Sequence, residues 1–145
     1  MRDCVFCQIL AGEVEASIVY RDERVTAFMD IQPLTPGHLL VIPNQHASSL
    51  KSVEPDTMSR MAVIGQMLGL ALLESSLAPQ AFNLFLANGE LAGQTVFHSH
   101  LHVIPRYPDD GFGVRFPPGF GRIAERGELD EQAEVVRAAL PPEHV

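Results

Sequence analysis

The sequence predicts an α+β domain in which helices pack on a largely antiparallel sheet of about five strands. Short apolar segments separated by turn residues predict the strands, and one long segment with three- and four-residue apolar spacing predicts a helix. The elements run strands, helix, strands, helix. A chain of 145 residues suits one domain with one core. We therefore expect a single domain over residues 1–145, with a core over about 4–107 and an irregular segment plus a C-terminal helix over 108–145.

The first half of the chain predicts a short helix and three strands. Residues 4–12 form a helical turn closed by Gly12. Residues 17–20 and 25–29 predict a hairpin around a charged turn. Residues 38–42 are an apolar run that Pro43 ends, which indicates a central strand, and we assign His38 at its start to a structural bond with the backbone.

The second half begins with the long helix. From Glu54, apolar residues recur at helical spacing for some twenty residues, with Pro55 in the first turn, and its methionines are interpreted as core packing. Residues 81–86 predict a strand, and 88–93 a turn that leads into a strand carrying three histidines. Residues 107–121 predict an irregular segment and 128–140 a final helix. His144, in the tail, is expected to be solvated.

Three histidines alternate in this last strand. Since side chains in a strand point alternately to opposite faces, His98, His100 and His102 should line one face. Clustered histidines are candidates for metal binding or acid–base chemistry. All three could bind one catalytic zinc, or one could attack phosphorus while its neighbours position the phosphate. A solvated edge strand is the alternative.

The two cysteines suggest a second kind of site. Cys4 and Cys7 are three positions apart, which indicates metal or redox chemistry, although two buried thiols would also fit. Structural zinc usually has four ligands. His46 follows the central strand, and one of the three alternating histidines could complete a tetrahedral set.

Composition argues against several partners. The net charge is −8 and Lys51 is the single lysine, so a broad nucleic-acid footprint is not expected, although a small phosphorylated ligand is compatible. No apolar run approaches the roughly 18 residues that cross a bilayer, and the first residues lack the apolar block of a secretory signal. We expect a cytoplasmic protein that binds neither nucleic acid nor membrane.

These motifs together resemble the histidine triad (HIT) superfamily of nucleotide hydrolases and transferases. The resemblance is carried by the histidine run over 98–104, the Cys-x-x-Cys pair, the Pro-Gly-His segment and strand over 36–43 with His46 behind it, and the Gly-Gln-Thr-Val segment over 93–96. It implies a HIT-like fold. It also implies action on dinucleoside polyphosphates or nucleoside phosphoramidates, with a purine nucleoside phosphate as substrate.

The resemblance implies a role for each matching residue. His100 would attack the α-phosphorus and form a covalent nucleotidyl intermediate that water resolves, without a catalytic metal, and His102 would contact phosphate oxygens. Asp30 would bind the ribose hydroxyls, and Gln94 and Thr95 would place polar groups near the phosphates. A structural zinc would be held by Cys4, Cys7, His46 and His98. The nucleobase would lie in an apolar pocket of Phe6, Val14, Phe28 and Ile31.

The sequence departs from the family pattern at two positions. Ser99 occupies a usually apolar position, and Ala87 stands where many relatives have an amide side chain, for which Asn88 is the candidate replacement. Asp30 could alternatively cap the loop that follows it. A nucleotide-binding or scaffold protein without turnover is the rival hypothesis.

Relatives are commonly homodimers that pair through the long helix and the strand before the triad, and we expect the same here.

Overall fold

The computed structural model describes residues 3–142 of the chain. It contains three α-helices, five strands and two single turns of 3₁₀ helix at Leu50–Ser52 and Glu90–Ala92. The helices are α1 (Val5–Leu10), α2 (Pro55–Glu74) and α3 (Arg126–Ala138). The strands are β1 (Ile18–Arg21), β2 (Val25–Met29), β3 (Leu39–Pro43), β4 (Ala81–Phe85) and β5 (Leu101–Arg106).

The strands form one antiparallel sheet in the order β1-β2-β3-β5-β4. The predicted α+β class and the central position of β3 are therefore confirmed. All five residues of β3 are buried, which explains why its sequence is continuously apolar rather than alternating. The hairpin, the long helix and the final helix also lie where their patterns predict them.

Two clusters of buried residues lie on opposite faces of the sheet. On one face, α2 packs Met61, Ile64 and Leu68 against alternate residues of the central strands. Two glycines of α2, Gly65 and Gly69, permit this close approach. A Cβ atom built on Gly65 would lie 2.7 Å from the side chain of Leu101, and one built on Gly69 would lie 2.4 Å from the ring of Phe82. The smaller cluster on the other face contains Phe6 of α1 with Phe28, Leu40 and Ile42. His102 pairs with Leu40 and shares this second face, so the triad points away from α2.

The strand predicted for the three histidines is shorter than expected. β5 begins at Leu101, so the prediction is correct for His102 and wrong for His98 and His100. The pairing of β3 with β5 starts at Val41 and Leu101. β3 ends two residues later at Pro43, and because Pro43 lacks an N–H group it cannot donate a hydrogen bond that would lengthen the pairing.

The segment before β5 is held by other bonds. The Ser99 N–H donates to the carbonyl oxygen of Ala47 at 2.7 Å, and the imidazoles of His98 and His100 both bond to main-chain carbonyls. His98 and His100 therefore lie in an irregular segment with a bend at residues 96–98, although the histidines alternate in sequence as they would in a strand.

The described chain divides into two compact units, one ending at Phe112 and the other starting at Gly113. The second contains α3 and a stacked pair of rings, Phe116 and Phe120, 4.0 Å apart. The assignment of the whole chain to one domain stays a prediction, and His144 lies outside the described residues. No helix within residues 3–142 is both long and apolar enough to cross a membrane.

Candidate functional site

Four side chains from three parts of the chain converge beside the triad. The ligand atoms of Cys4, Cys7, His46 and His98 all lie within 4.8 Å of one another. The Cys4 Sγ atom is 3.4 Å from His98 Nδ1, and Cys7 Sγ is 3.3 Å from His46 Nδ1. In tetrahedral zinc sites, usual bond lengths place sulfur and nitrogen ligands about 3.6 Å apart. The four residues therefore fit a closed Cys₂His₂ zinc site.

The protonation of His98 also suits a metal ligand. Its Nε2–H donates to the carbonyl of Pro43 at 2.8 Å, which leaves the Nδ1 lone pair facing the two thiols. Burial lowers the pKa of His98, so its imidazole is neutral at pH 7. Burial and the neighbouring Cys4 raise the pKa of the Cys7 thiol, so a nearby cation would favour its thiolate form.

His100 has the opposite tautomer. Its Nδ1–H donates to the carbonyl of His98 at 2.8 Å, which leaves the lone pair on Nε2. The ring is buried between Phe6 and His102, at centroid distances of 5.3 and 4.8 Å. An imidazole held in this way has one orientation and one nucleophilic nitrogen.

His38 sets the tautomer of His102. The Leu34 N–H donates to His38 Nδ1 at 3.0 Å, so the hydrogen of neutral His38 is on Nε2. That nitrogen is 2.9 Å from His102 Nδ1, which must therefore accept, and the N–H of His102 is on Nε2. Burial and the neighbouring His100 and His38 lower the pKa of His102 to about 4, so it is neutral at pH 7. The backbone bond predicted for His38 is present, whereas its contact with His102 is an additional finding.

A second group of three potential ligands is less suited to a metal. Asp30 Oδ2 lies 3.6 Å from His38 Nε2, and these atoms and His102 Nδ1 are within 4.8 Å of one another. Because Leu34 already donates to Nδ1, His38 presents a hydrogen and not a lone pair at Nε2. We therefore interpret His38 as the middle of a hydrogen-bond chain from the Leu34 N–H to His102, with the Asp30 carboxylate nearby but not bonded to it.

A cavity of about 690 Å³ opens on the triad side of the sheet. Its volume is within the range of small-molecule pockets, which run from about 300 to 1,000 Å³. Eight of the residues predicted for the site line it: Phe6, Val14, Phe28, Asp30, Ile31, Thr95, His100 and His102. The Asp30 Oδ1 atom accepts from the Gln32 N–H at 2.8 Å, so this carboxylate caps its loop, as the alternative reading proposed, while its other oxygen faces His38.

Two predicted substrate ligands are instead bonded to the backbone. Gln94 is 2% exposed; its Oε1 accepts from Gly89 and its Nε2 donates to the carbonyls of Ser48 and Val96. The Asn88 Oδ1 atom accepts from the Leu50 N–H. These amides support the loop that leads to the triad. Their contact with substrate stays a prediction, and Ala87, at the position of the family amide, is buried.

Comparison with known proteins places the chain in a family. Residues 11–109 match the HIT domain, and the chain belongs to the HIT domain family. A HIT-like protein of Borreliella burgdorferi is 44% identical over 117 residues, covering 79% of this chain and 84% of the relative. An adenylylsulfatase of Arabidopsis thaliana is 36% identical over 108 residues, covering 74% of this chain and 54% of the relative.

Solved structures agree with this assignment. A HIT family protein from Bacillus anthracis superposes with a TM-score of 0.87 at 37% identity, covering 96% of this chain and 98% of that protein. A zinc-bound histidine triad family protein from Mycobacterium smegmatis has a TM-score of 0.74 at 37% identity, covering 94% and 98%.

Proposed function

We propose that this protein binds nucleotides and cleaves a bond at the α-phosphorus of a dinucleoside polyphosphate or a nucleoside phosphoramidate. The observation that carries the proposal is the fixed tautomer of His100, whose Nδ1–H is bonded to a carbonyl and whose Nε2 lone pair is available at a nucleotide-sized cavity. The Arabidopsis thaliana relative is named as an adenylylsulfatase, which supports chemistry at an adenylyl phosphorus.

In the proposed reaction, His100 Nε2 forms a bond to the α-phosphorus and the bond to the leaving group breaks. Water then attacks the nucleotidyl-imidazole, which releases the nucleoside monophosphate and restores His100. His102 Nε2–H donates to a phosphate oxygen and stabilises the charge that develops there.

The other lining residues bind the nucleoside in this proposal. Phe6, Val14, Phe28 and Ile31 enclose the base, and Asp30 accepts from the ribose hydroxyls. Ile31 is 94% exposed, which suits a residue that becomes covered when a base packs on it.

We further propose that Cys4, Cys7, His46 and His98 hold a structural zinc. The zinc-bound relative from Mycobacterium smegmatis and the ligand distances support this assignment. When bound, the metal would link the Cys4–Cys7 segment to His46 and His98, and we assign it no part in the bond-breaking step. Because the His98 carbonyl holds His100, anchoring His98 also aims the nucleophile.

We propose a homodimer formed through α2 and β4. An apolar stripe on α2 is exposed at Val63, Met67 and Leu70, and the neighbouring edge strand exposes Leu84 and Phe85. Exposed apolar surface beside an unpaired strand edge is typical of an interface. Sedimentation should give a dimer at micromolar concentration; a monomer would contradict this proposal.

A single substitution tests the function. His100→Ala should reduce turnover by about a thousandfold or more, because the nucleophile is removed, while nucleotide binding and zinc content are retained. With the unmodified protein, rapid quenching and mass spectrometry should detect the mass of one nucleotidyl group on His100. Near-normal turnover by the variant would refute the assignment. Nucleotide binding without turnover, against a panel of dinucleotides and phosphoramidates, would instead favour the non-catalytic alternative.

A further inference from the structure

The loop over residues 31–37 reaches the triad through its main chain. Its Leu34 N–H donates to His38 Nδ1 at 3.0 Å, and the hydrogen on His38 Nε2 then donates to His102. Burial lowers the pKa of His38, so this imidazole is neutral at pH 7 and has one ring hydrogen to place. The position of the Leu34 N–H therefore decides which nitrogen of His38 carries that hydrogen.

Residue 35 is the buried point of this loop. Among residues 31–37, Thr35 alone is buried, with 4% of its surface exposed, whereas residues 31–34 and 36 are exposed. Its hydroxyl donates to the carbonyl oxygen of Pro105 at 2.6 Å, and its own carbonyl accepts from the His38 N–H at 3.1 Å. Thr35 thus joins the loop both to β5 and to His38, and it directly follows the residue whose N–H faces the imidazole.

The Thr35 hydroxyl bonds to β5 at a point where the pairing of β5 with β3 has ended. Leu39 lies opposite Val103, so a continued register would place Gly37 opposite Pro105. The chain instead turns at Gly37, whose φ is +89° and where a Cβ atom would lie 3.2 Å from the Pro105 ring. The loop therefore passes Pro105 without sheet pairing, and the Thr35 hydroxyl supplies a donor to its carbonyl.

Loss of this hydroxyl would remove the donor that the Pro105 carbonyl now has. An unsatisfied buried acceptor is costly, so the loop would shift to relieve it. A shift that withdraws the Leu34 N–H frees His38 Nδ1 to take the ring hydrogen, and His38 Nε2 then becomes an acceptor. His102 Nδ1 must donate to that acceptor, which takes the hydrogen away from His102 Nε2.

We propose that Thr35 is a positioning residue for the reaction. Its hydroxyl holds the Leu34 N–H on His38, and His38 in turn keeps the hydrogen of His102 on Nε2. This inference rests on the proposed function, in which that hydrogen donates to a phosphate oxygen. Thr35 does not line the cavity beside the triad, so its effect falls on the reaction step and not on nucleotide binding.

The test removes the hydroxyl while keeping the shape of the side chain. Thr35→Val should lower kcat about three- to tenfold for an adenosine 5′-phosphoramidate, with little change in KM. The direct readout is long-range proton–nitrogen correlation NMR of the zinc-loaded protein at neutral pH, with the His38 signals assigned from His38→Phe. The nitrogen shifts of wild-type His38 should show a single Nε2–H tautomer, and those of Thr35→Val a mixture with the Nδ1–H form.

Two further variants make this test specific. Thr26→Val removes another buried threonine hydroxyl, which donates to Asn44, and it should leave the His38 tautomer and kcat unchanged. Thr35→Ser keeps the hydroxyl and should keep both wild-type values. A mixed tautomer in Thr35→Ser would contradict the proposal even if Thr35→Val does not fold.

The outcomes separate the positioning role from the proposed function. If Thr35→Val keeps the single His38 tautomer, or keeps the wild-type kcat with a mixed one, the positioning role is refuted, while turnover that depends on His100 leaves the proposed function standing. If the wild-type protein turns over no substrate and His100 carries no nucleotidyl group, the proposed function fails and the effect of Thr35 on the reaction with it.

Discussion

The burial of His102 should make the stability of the protein depend on pH. The pKa of His102 is about 4 in the folded protein and about 6.5 in an unfolded chain. Below pH 6.5 the unfolded chain binds a proton that the folded protein does not bind until pH 4. The stabilisation is therefore complete above pH 6.5 and is lost progressively as the pH falls toward 4.

The size of this effect follows from the two pKa values. Between pH 8 and pH 5, the titration of His102 should cost about 2 kcal/mol of the free energy of unfolding. The comparison variant is His102→Asn, whose amide oxygen can still accept from His38 but which does not titrate. Urea unfolding of both proteins at both pH values, with zinc in excess, gives the double difference, so that pH-dependent zinc binding affects both proteins alike.

We expect the wild-type protein to lose about 2 kcal/mol more than His102→Asn over this range. Equal losses in the two proteins would refute the reasoning, because they would mean that His102 binds protons equally well in the folded and unfolded states.

Three further predictions concern packing, zinc and proton placement. Gly69→Ala should destabilise the protein by about 1–2 kcal/mol in urea unfolding, because overpacking against Phe82 outweighs the better helix propensity of alanine. The control is Gly127→Ala, which should be neutral or stabilising because there is open space around its Cβ position. Cys7→Ala should lose zinc by elemental analysis and lower the melting temperature; full zinc content would contradict the Cys₂His₂ assignment. His38→Phe should lower kcat about 10- to 100-fold with little change in KM, since the phenyl ring has no N–H to donate to His102. An unchanged kcat would show that the hydrogen bond between His38 and His102 is dispensable.

The elements that could be predicted from sequence are those whose burial pattern is local. The spacing in α2 reflects one face of a helix on a sheet, and the continuous apolar run of β3 reflects burial on both faces. Such periodicities depend on near neighbours along the chain, so they can be interpreted before any tertiary contact is known.

The start of β5 could not be predicted in this way. Histidines alternate at 98, 100 and 102 in sequence, although only His102 lies in the strand and residues 96–98 form a bend. The difference depends on where β3 and β4 end, and this is a property of distant parts of the chain.

The hydrogen-bond partners of the site residues also could not be predicted from the sequence. The contact of His38 with His102 requires β3 and β5 to be neighbours, which neither segment indicates by itself. Gln94 lies next to the triad in sequence, yet its amide bonds to the backbone of its own loop and to the carbonyl of Ser48 in a distant one. Nearness along the chain does not determine the direction of a side chain.

Main-chain groups determine the proton positions of the functional histidines. The carbonyls of Pro43 and His98 and the N–H of Leu34 each assign one imidazole nitrogen. Every amino acid has a carbonyl, and every one except proline has an N–H. The side chain at position 34 can therefore vary widely during evolution without altering the chemistry, whereas proline there would remove the hydrogen from which the His38–His102 arrangement begins. The positions of the protons on these imidazoles therefore depend on the path of the main chain more than on the identity of the neighbouring side chains.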